Sequence, residues 1–269
     1  MGIPINSKEW PRFVLPIVRK EWSEKMAAVP SPLAPFFGVD TSASSVEYSQ
    51  GIGAFSKVPE YNSADAEGNP AAIEYDSFDP LYEKTFTHKE YALGVAIERK
   101  LWDDERTNQI KRKAQSLGFS FGTTIASHQS SVLNHAFNVS YPGGDAVALC
   151  DDSHPVNSIS STTYDNDGST ALSYDAVVAT LLAGHDMTDD KSNPLPIIYD
   201  TLYVPTALEA TAYEIINAIG KPGGANNDAN FIASKGLDVV VDAYLSDANN
   251  WFMLNSELAK MHLLWFWRV

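Results

Sequence analysis

The feature that most constrains this chain is a helical pattern too long for a small globular body. Across residues 99–137, Ile110, Ala114, Leu117, Phe121, Ile125, His128, Val132 and Ala136 recur at steps of three and four, the spacing of one helix face. Asp103, Asp104 and Glu105 put negative charge at its start, where a helix dipole is positive. No proline falls between Pro80 and Pro142, so nothing obliges a break. A helix from Asp104 to Phe137 is roughly 50 Å long by the usual helical rise, well beyond the common length of about three turns. Such a rod acts as a spine, and the segments before and after it must pack around it. Gly118 and Gly122 lie one turn apart on it and cost roughly 1 kcal/mol each relative to alanine. Their presence predicts close backbone approach, within the chain or across an interface.

The 269 residues suffice for one large domain or two modest ones. With 44% hydrophobic and 11% aromatic residues the chain can build a core, which argues against wholesale disorder. Its formal charge of −15 argues against a main surface that grips nucleic acid, because phosphate binding needs clustered Lys and Arg. The charge is uneven. Residues 1–30 hold Lys8, Arg12, Arg19, Lys20 and Lys25 against Glu9, Glu21 and Glu24, a balance of +2, and leave −17 for the remainder. The bland reading is a solvated surface; the sharper one is a basic arm that meets an acidic neighbour. The single cysteine, Cys150, permits no intrachain disulfide. Neither an apolar run long enough to span a membrane nor a signal-peptide pattern occurs, so a cytoplasmic origin is expected.

Prolines 4, 11, 16, 30, 32 and 35 punctuate residues 1–45, which favours an extended arm over a compact domain. Within it, Ile17–Ala28 has the pattern of one short amphipathic helix. Trp10, Phe13, Trp22, Phe36 and Phe37 make the arm too apolar for a free linker; these rings must be buried on the chain's own body or on a neighbour. Residues 46–98 read as a projecting β-hairpin. Tyr91, Leu93, Val95 and Ile97 alternate with smaller or polar residues, as in a half-buried strand, and the polar segment Asn62–Pro70 reads as its tip. A lone two-stranded hairpin is marginal in water, so this one should lean on a partner.

After the spine, Ala146–Cys150 reads as a short strand, 151–170 as a loose polar stretch, and Tyr174–Asp186 as a helix capped by Ser173. Ile197, Ile198 and Leu202–Val204 form a buried strand pattern. Pro205 opens a helix through Ile219, stopped by Gly220. Asp238–Ala243, Trp251–Leu254 and Leu263–Val269 read as further strands. The fold class is α+β. The apolar Leu263–Val269 segment should either be tucked into a central sheet or belong to a shortened chain.

Chemistry-bearing motifs are weak. Cys150 and His154, beside Asp151 and Asp152, suggest a thiol nucleophile or a metal, but one Cys with one His falls short of a closed metal site. His128 and His135 lie seven apart on the spine, without the His-Glu-x-x-His of a zinc helix, and read as packing residues. Neither Gly51-Ile-Gly53 nor Lys221-Pro-Gly-Gly224 completes a phosphate-binding loop. The basic cluster Arg106, Lys111, Arg112 and Lys113 reads as an exposed face or a set of ion-pair partners. No catalytic residue, cofactor or metal ligand is assigned.

Several segments, taken in order, carry a family resemblance. They are Glu83-Lys-Thr-Phe-Thr-His-Lys-Glu-Tyr-Ala-Leu-Gly-Val-Ala-Ile-Glu98 with Leu101-Trp-Asp-Asp104, and Leu149-Cys-Asp-Asp-Ser-His-Pro155. Further on come Leu202-Tyr-Val-Pro205 with Leu208 and Ala212, and Val239-Val-Val-Asp-Ala-Tyr-Leu245. With this order of arm, hairpin, spine and mixed body, the chain resembles the major capsid proteins of tailed bacteriophages with the Hong Kong 97-type capsid fold, and among them the Mu-like major head subunit. The resemblance covers most of the chain from Val46 onward.

The resemblance implies a phage major capsid fold. Residues 1–45 would be the N-arm, 46–98 the extended loop, and 99–137 the spine helix of a peripheral domain. Residues 138–247 would be a mixed α/β axial domain, and 248–269 the return strands. It implies a structural, non-enzymatic subunit that self-assembles into hexamers and pentamers of an icosahedral shell. That shell would enclose double-stranded DNA, bound non-specifically, with portal or scaffold proteins as partners and no membrane. The location implied is the virion, assembled in the host bacterial cytoplasm. Contacts between subunits are expected at Trp10, Phe13, Trp22, Phe36 and Phe37 of the arm and at Tyr61, Asn62, Asp65, Glu67, Asn69 and Tyr75 of the hairpin. Two alternatives stay open: an encapsulin-like protein compartment, and a soluble enzyme with a site at Cys150 and His154.

Overall fold

The computed structural model describes residues 10–58, 73, 75–77, 80–96, 107–157, 162–224 and 228–269. Helix α1 (Trp10–Ala27) lies along the spine helix α2 (Thr107–Asn134). Glu21 meets Lys111 and Gln115, the Trp22 ring meets Phe121, and Ser31 bonds Gln129, so the two helices run in the same direction. α1 is longer than the helix expected from Ile17, and Pro16 sits inside it. A proline there removes a backbone hydrogen bond, and Leu15, Pro16 and Ile17 are exposed; the helix packs along the spine from Glu21 onward. The spine spans 28 residues, about 42 Å by the usual helical rise. It stops at Asn134, before His135–Phe137, which form a turn. Its expected acidic lead-in lies outside the described residues.

The face that the spine buries differs from expectation. Ile110, Ala114, Gly118, Gly122, Ala126 and Ser130 are covered, whereas Leu117, Phe121, Ile125, His128 and Val132 are only half-buried. The two glycines explain the shift. A β-carbon on Gly118 would overlap the Trp22 carbonyl, and one on Gly122 would lie 2.7 Å from a methyl of Val29. α1 and the segment after it thus settle on the small-residue ridge, which is the close approach expected, and it occurs within the chain. The ridge of large side chains is left partly open.

Strand β1 (Gly38–Ser42) follows the arm, and β2 (Val46–Ile52) pairs antiparallel with β3 (Pro80–Thr87) as the hairpin stem. Residues 88–96 continue beyond β3 without a strand partner among the described residues, with Tyr91, Leu93 and Val95 exposed. The strand expected there has the right alternation but no ladder, since alternation alone supplies no neighbour to hydrogen-bond. The polar stretch after the spine holds two short strands, β4 (His154–Pro155) and β5 (Thr163–Tyr164), paired with each other. Ala146–Cys150 is bend and coil rather than strand, with Ala146 at φ 67°.

The body is a three-stranded sheet in the order β7-β6-β8, with β6 (Thr201–Pro205) central and wholly buried. β7 (Asp238–Asp242) runs parallel to it and β8 (Phe252–Leu254) antiparallel. Ile197 and Ile198 precede the strand as coil. Helices α3 (Tyr174–His185), with its Ser173 cap, and α4 (Glu209–Asn217) pack on the sheet. α4 begins later than expected, after a 3-10 turn at Thr206–Leu208, and ends before Gly220, leaving Ile219 almost wholly exposed. Val177, Leu181, Leu202, Val204, Ala212 and Ile215 anchor that core. A second core joins arm, spine and body through Leu33, Phe36, Phe37, Leu133, Ala136, Tyr203 and Phe252.

The last elements are α5 (Ser256–His262) and β9 (Leu264–Arg268). β9 pairs in parallel with β1, Gly38 opposite Leu264 and Ser42 opposite Arg268. The apolar terminal strand is therefore placed against the arm, in a sheet of its own rather than in the central one. Gly38 allows this approach, since a β-carbon there would overlap the Lys260 carbonyl of α5.

Candidate assembly surface

The elements that leave the body are held at fixed places, and one ridge of the spine is left partly uncovered. The hairpin stem is fixed at two places. Lys84 of β3 reaches the Pro142 carbonyl with its ammonium. At the other end, the Ala54 amide donates to Asp190 Oδ1 at 2.9 Å and Asn193 Nδ2 donates to the Phe55 carbonyl at 3.1 Å. The loop that supplies these groups is tied by Asp189, which accepts from the Asn193 side chain and amide and from the Lys191 amide. Those hydrogen bonds, the Asn193 side chain foremost, hold the Asp189 carboxyl below its ordinary value. Tyr164 of β5 closes the knot by donating to the Asp189 carbonyl at 2.6 Å.

The unfinished surface is the half-covered ridge of the spine. A groove of about 690 Å³ runs between the spine residues Phe121, Ile125 and His128, the segment after β3, and β9. His128 stacks obliquely on Tyr91 with centroids 4.6 Å apart, and Phe86 meets Phe266 at 5.3 Å. His128 is thus a packing residue among rings. The same open ridge continues past Leu117 to Trp22 and Arg19.

One buried carboxylate ties spine to body. Asp242, at the end of β7 and fully buried, accepts from Ser130 Oγ of the spine at 2.5 Å and from the Tyr203 hydroxyl of β6 at 2.6 Å. Its other oxygen accepts from the Tyr244 amide at 2.8 Å. Burial, then the hydrogen bond to Asp242, raises the Tyr203 phenol well above its ordinary value. A buried charge is tolerated only when so fully bonded. Sequence reasoning missed this junction. A lone aspartate closing a β-branched strand was the available signal, but neither partner is near in sequence.

The surroundings of Cys150 disfavour its thiolate. Burial, with the charge of Asp167 adding, pushes the Cys150 thiol up to about 12, away from the thiolate that a nucleophile needs. His154 Nδ1 is engaged by Asp145 Oδ2 at 2.6 Å, which binds the 143–147 turn to β4. Among the described residues no group of three or more His, Cys, Asp or Glu side chains is placed to hold a metal.

The expected contact residues separate into groups. Phe36 and Phe37 are spent inside the chain, Phe36 edge-on to Tyr203 and Phe37 edge-on to Trp265. Trp22 packs on Phe121 at 5.7 Å between ring centroids. For these three rings the partner seen is the chain's own body. Trp10 and Phe13 lie in α1, where the described structure extends to their backbone alone. Tyr75 is 93% exposed. Tyr61, Asn62, Asp65, Glu67 and Asn69 lie outside the described residues.

The site residues thus gather into an arm wound along a spine, a braced hairpin and an open ridge. Residues 82–264 match the family described as phage capsid protein, and the chain belongs to that family. It is therefore a structural capsid protein, a component of a phage particle. No curated protein sequence matches it. Among solved structures, it is similar to the procapsid protein of bacteriophage JBD30, with 16% identity, a TM-score of 0.63, and 90% of this chain and 100% of that chain covered. The JBD30 capsid gives 16% identity and a TM-score of 0.63 over 82% of this chain and 92% of that one. The JBD30 capsid decorated with minor capsid protein trimers gives 16% and 0.59 over 81% and 91%. Those likenesses show the fold, the α+β phage capsid fold expected from the sequence.

Proposed function

We propose that the chain is the major capsid protein of a tailed phage. Its copies join as hexamers and pentamers into an icosahedral shell around double-stranded DNA. Portal and scaffold proteins join them, and assembly takes place in the host bacterial cytoplasm. The observation that carries this reading is the family match across 82–264, which takes in β3, the spine, the body and the start of β9. The open ridge of the spine and the braced hairpin are consistent with it, because a shell subunit distributes its stability over contacts with neighbours.

In this reading the hairpin tip, with Tyr61, Asn62, Asp65, Glu67 and Asn69, and the exposed Tyr75 reach a neighbouring subunit. Trp10 and Phe13 belong to the same contact set, whereas Trp22, Phe36 and Phe37 position the arm from within. Negative-stain electron microscopy of the purified protein tests the proposal, with closed shells of uniform diameter expected. A monodisperse monomer at every salt and protein concentration tried would overturn it. Deleting residues 62–70 should leave a folded subunit that assembles poorly.

A further inference from the structure

Charge in this chain is segregated by element. α1 carries Arg12, Arg19, Lys20 and Lys25 against Glu21 and Glu24, and the spine carries Lys111, Arg112 and Lys113 with no acid in its 28 residues. The helix pair is therefore +5 and everything else −20, from a total of −15. Because the two helices run in the same direction, their bases gather at one end of the layer, the end furthest along the spine from the body. Arg19, Lys20, Lys25, Lys111, Arg112 and Lys113 are all exposed there. Lys20 pairs loosely with Glu24 and Lys111 with Glu21, while Arg19, Lys25, Arg112 and Lys113 have no ion-pair partner among the described residues. Phe119, on the same outward side as Arg112, is half exposed.

The opposite sign lies at the other end of the spine. Residues 138–190 hold nine aspartates and neither Lys nor Arg. Asn166 draws part of them together, since its side chain accepts from the Asp151 amide at 2.8 Å and donates to the Leu149 carbonyl at 2.9 Å. That brings Asp151 and Asp152 beside Asp165 and Asp167. Asp152, Asp165 and Asp167 are exposed, and none of the three has a cationic partner among the described residues.

We propose that the outward face of α1 and the spine is an assembly surface whose occupant is the acidic patch of Asp151, Asp152, Asp165 and Asp167 on a second copy of this chain. The inference rests on the capsid reading and adds to it which faces meet. Subunits of charge −15 repel one another unless unlike patches face across the contact. The chain supplies one basic patch and one acidic patch about a spine's length apart, too far to neutralise each other within one copy. A contact between two different patches of the same chain is heterologous, and heterologous contacts are the kind that close into rings. Duplex DNA is the competing occupant of a basic face, and the experiment separates the two.

The test is a charge swap in the full-length chain, read by sedimentation and electron microscopy for assembly and by far-UV circular dichroism for folding. The double variant Arg112→Glu and Lys113→Glu should fold normally and lose shell formation at about 0.1 M salt, where charges are screened beyond about 10 Å. Adding Asp165→Lys and Asp167→Lys to that chain should restore shells. A reversed variant that still assembles overturns the proposal, and so does a swap that fails to rescue. Loss of binding to linear duplex DNA with assembly unchanged would assign the face to nucleic acid instead. If the wild-type chain forms no shells, the capsid reading fails; if it forms shells and the reversal is silent, this inference fails alone.

Discussion

Asp242 shows how much one side chain can hold. It is the common acceptor for a hydroxyl from the spine, a hydroxyl from the central strand and a backbone amide, so three elements meet on two oxygens. Leaving a buried polar group unpaired costs about 1–3 kcal/mol. Tyr203→Phe deletes one donor without stranding another buried group, and should cost about 1 kcal/mol, the net worth of one such bond. Asp242→Ala strands two hydroxyls and an amide together, and should cost about 3 kcal/mol or more. Urea unfolding midpoints with an unchanged slope check both, and an Asp242→Ala change no larger than that of Tyr203→Phe would deny the junction its role. Cys150 gives a second test at this scale. With its thiol pushed up to about 12, only about one thiolate in ten thousand exists at pH 8, so alkylation by iodoacetamide should be far slower than for a free cysteine. Denaturant should restore the ordinary rate.

At the scale of elements, the sequence made some parts legible and hid others for physical reasons. The Ser173 cap and the helix after it were readable because cap and periodicity are local. Gly118 and Gly122 were readable as a close approach because glycine in a helix needs a reason. Pairing was not readable: β9 with β1 joins residues more than two hundred positions apart, and nothing in Leu264–Arg268 names Gly38–Ser42 as its partner. The segment 88–96 misled because its alternation is real but it has no ladder among the described residues. Of the candidate surface, the excess of bases in the arm was legible, while the joining of that arm to the spine was not. α5 offers a prediction here. Its first turn is capped by Asn255, which accepts from the Glu257 and Leu258 amides, and is further held by Asp200, which accepts from the Ser256 amide and hydroxyl. Burial opposes the charged form, but the Ser256 side chain and amide, with Thr201, outweigh it and hold the carboxyl below its ordinary value. A depressed carboxyl gives stability that is complete above the unfolded value of about 3.9 and lost as pH falls through the lower folded value. The melting temperature of Asp200→Asn should therefore approach that of the wild type at the acid end and fall behind it near neutrality. A constant gap from acid to neutral pH would show that the charge is not what holds α5.

Among the described residues the whole molecule has two cores set on opposite sides of the central strand β6, one around Leu202 and Val204 and one around Tyr203, and a beam that enters only the second and depends on its covering. From Ile110 to Ala126 the buried side of the spine faces α1 and the turn that follows it, through Trp22, Met26 and Val29. The body supports only the later part, through Ser130, Leu133 and Asn134. A helix in water is marginal below about 12–15 residues without packing, and two interior glycines weaken the first part by roughly 1 kcal/mol each. Removing residues 1–28 should therefore melt more than it removes. The helical signal should fall by the 18 residues of α1 and by about a dozen more, the spine fraying back toward Gly122. The body, with its own core around Leu202, Val204 and Ile215, should keep its cooperative transition. Hydrogen exchange would locate the effect, with amides of 107–122 losing protection and those of α4 and β6 keeping theirs. If the ellipticity lost corresponds to α1 alone, the spine stands by itself, and the arm is a contact for neighbours rather than part of the beam.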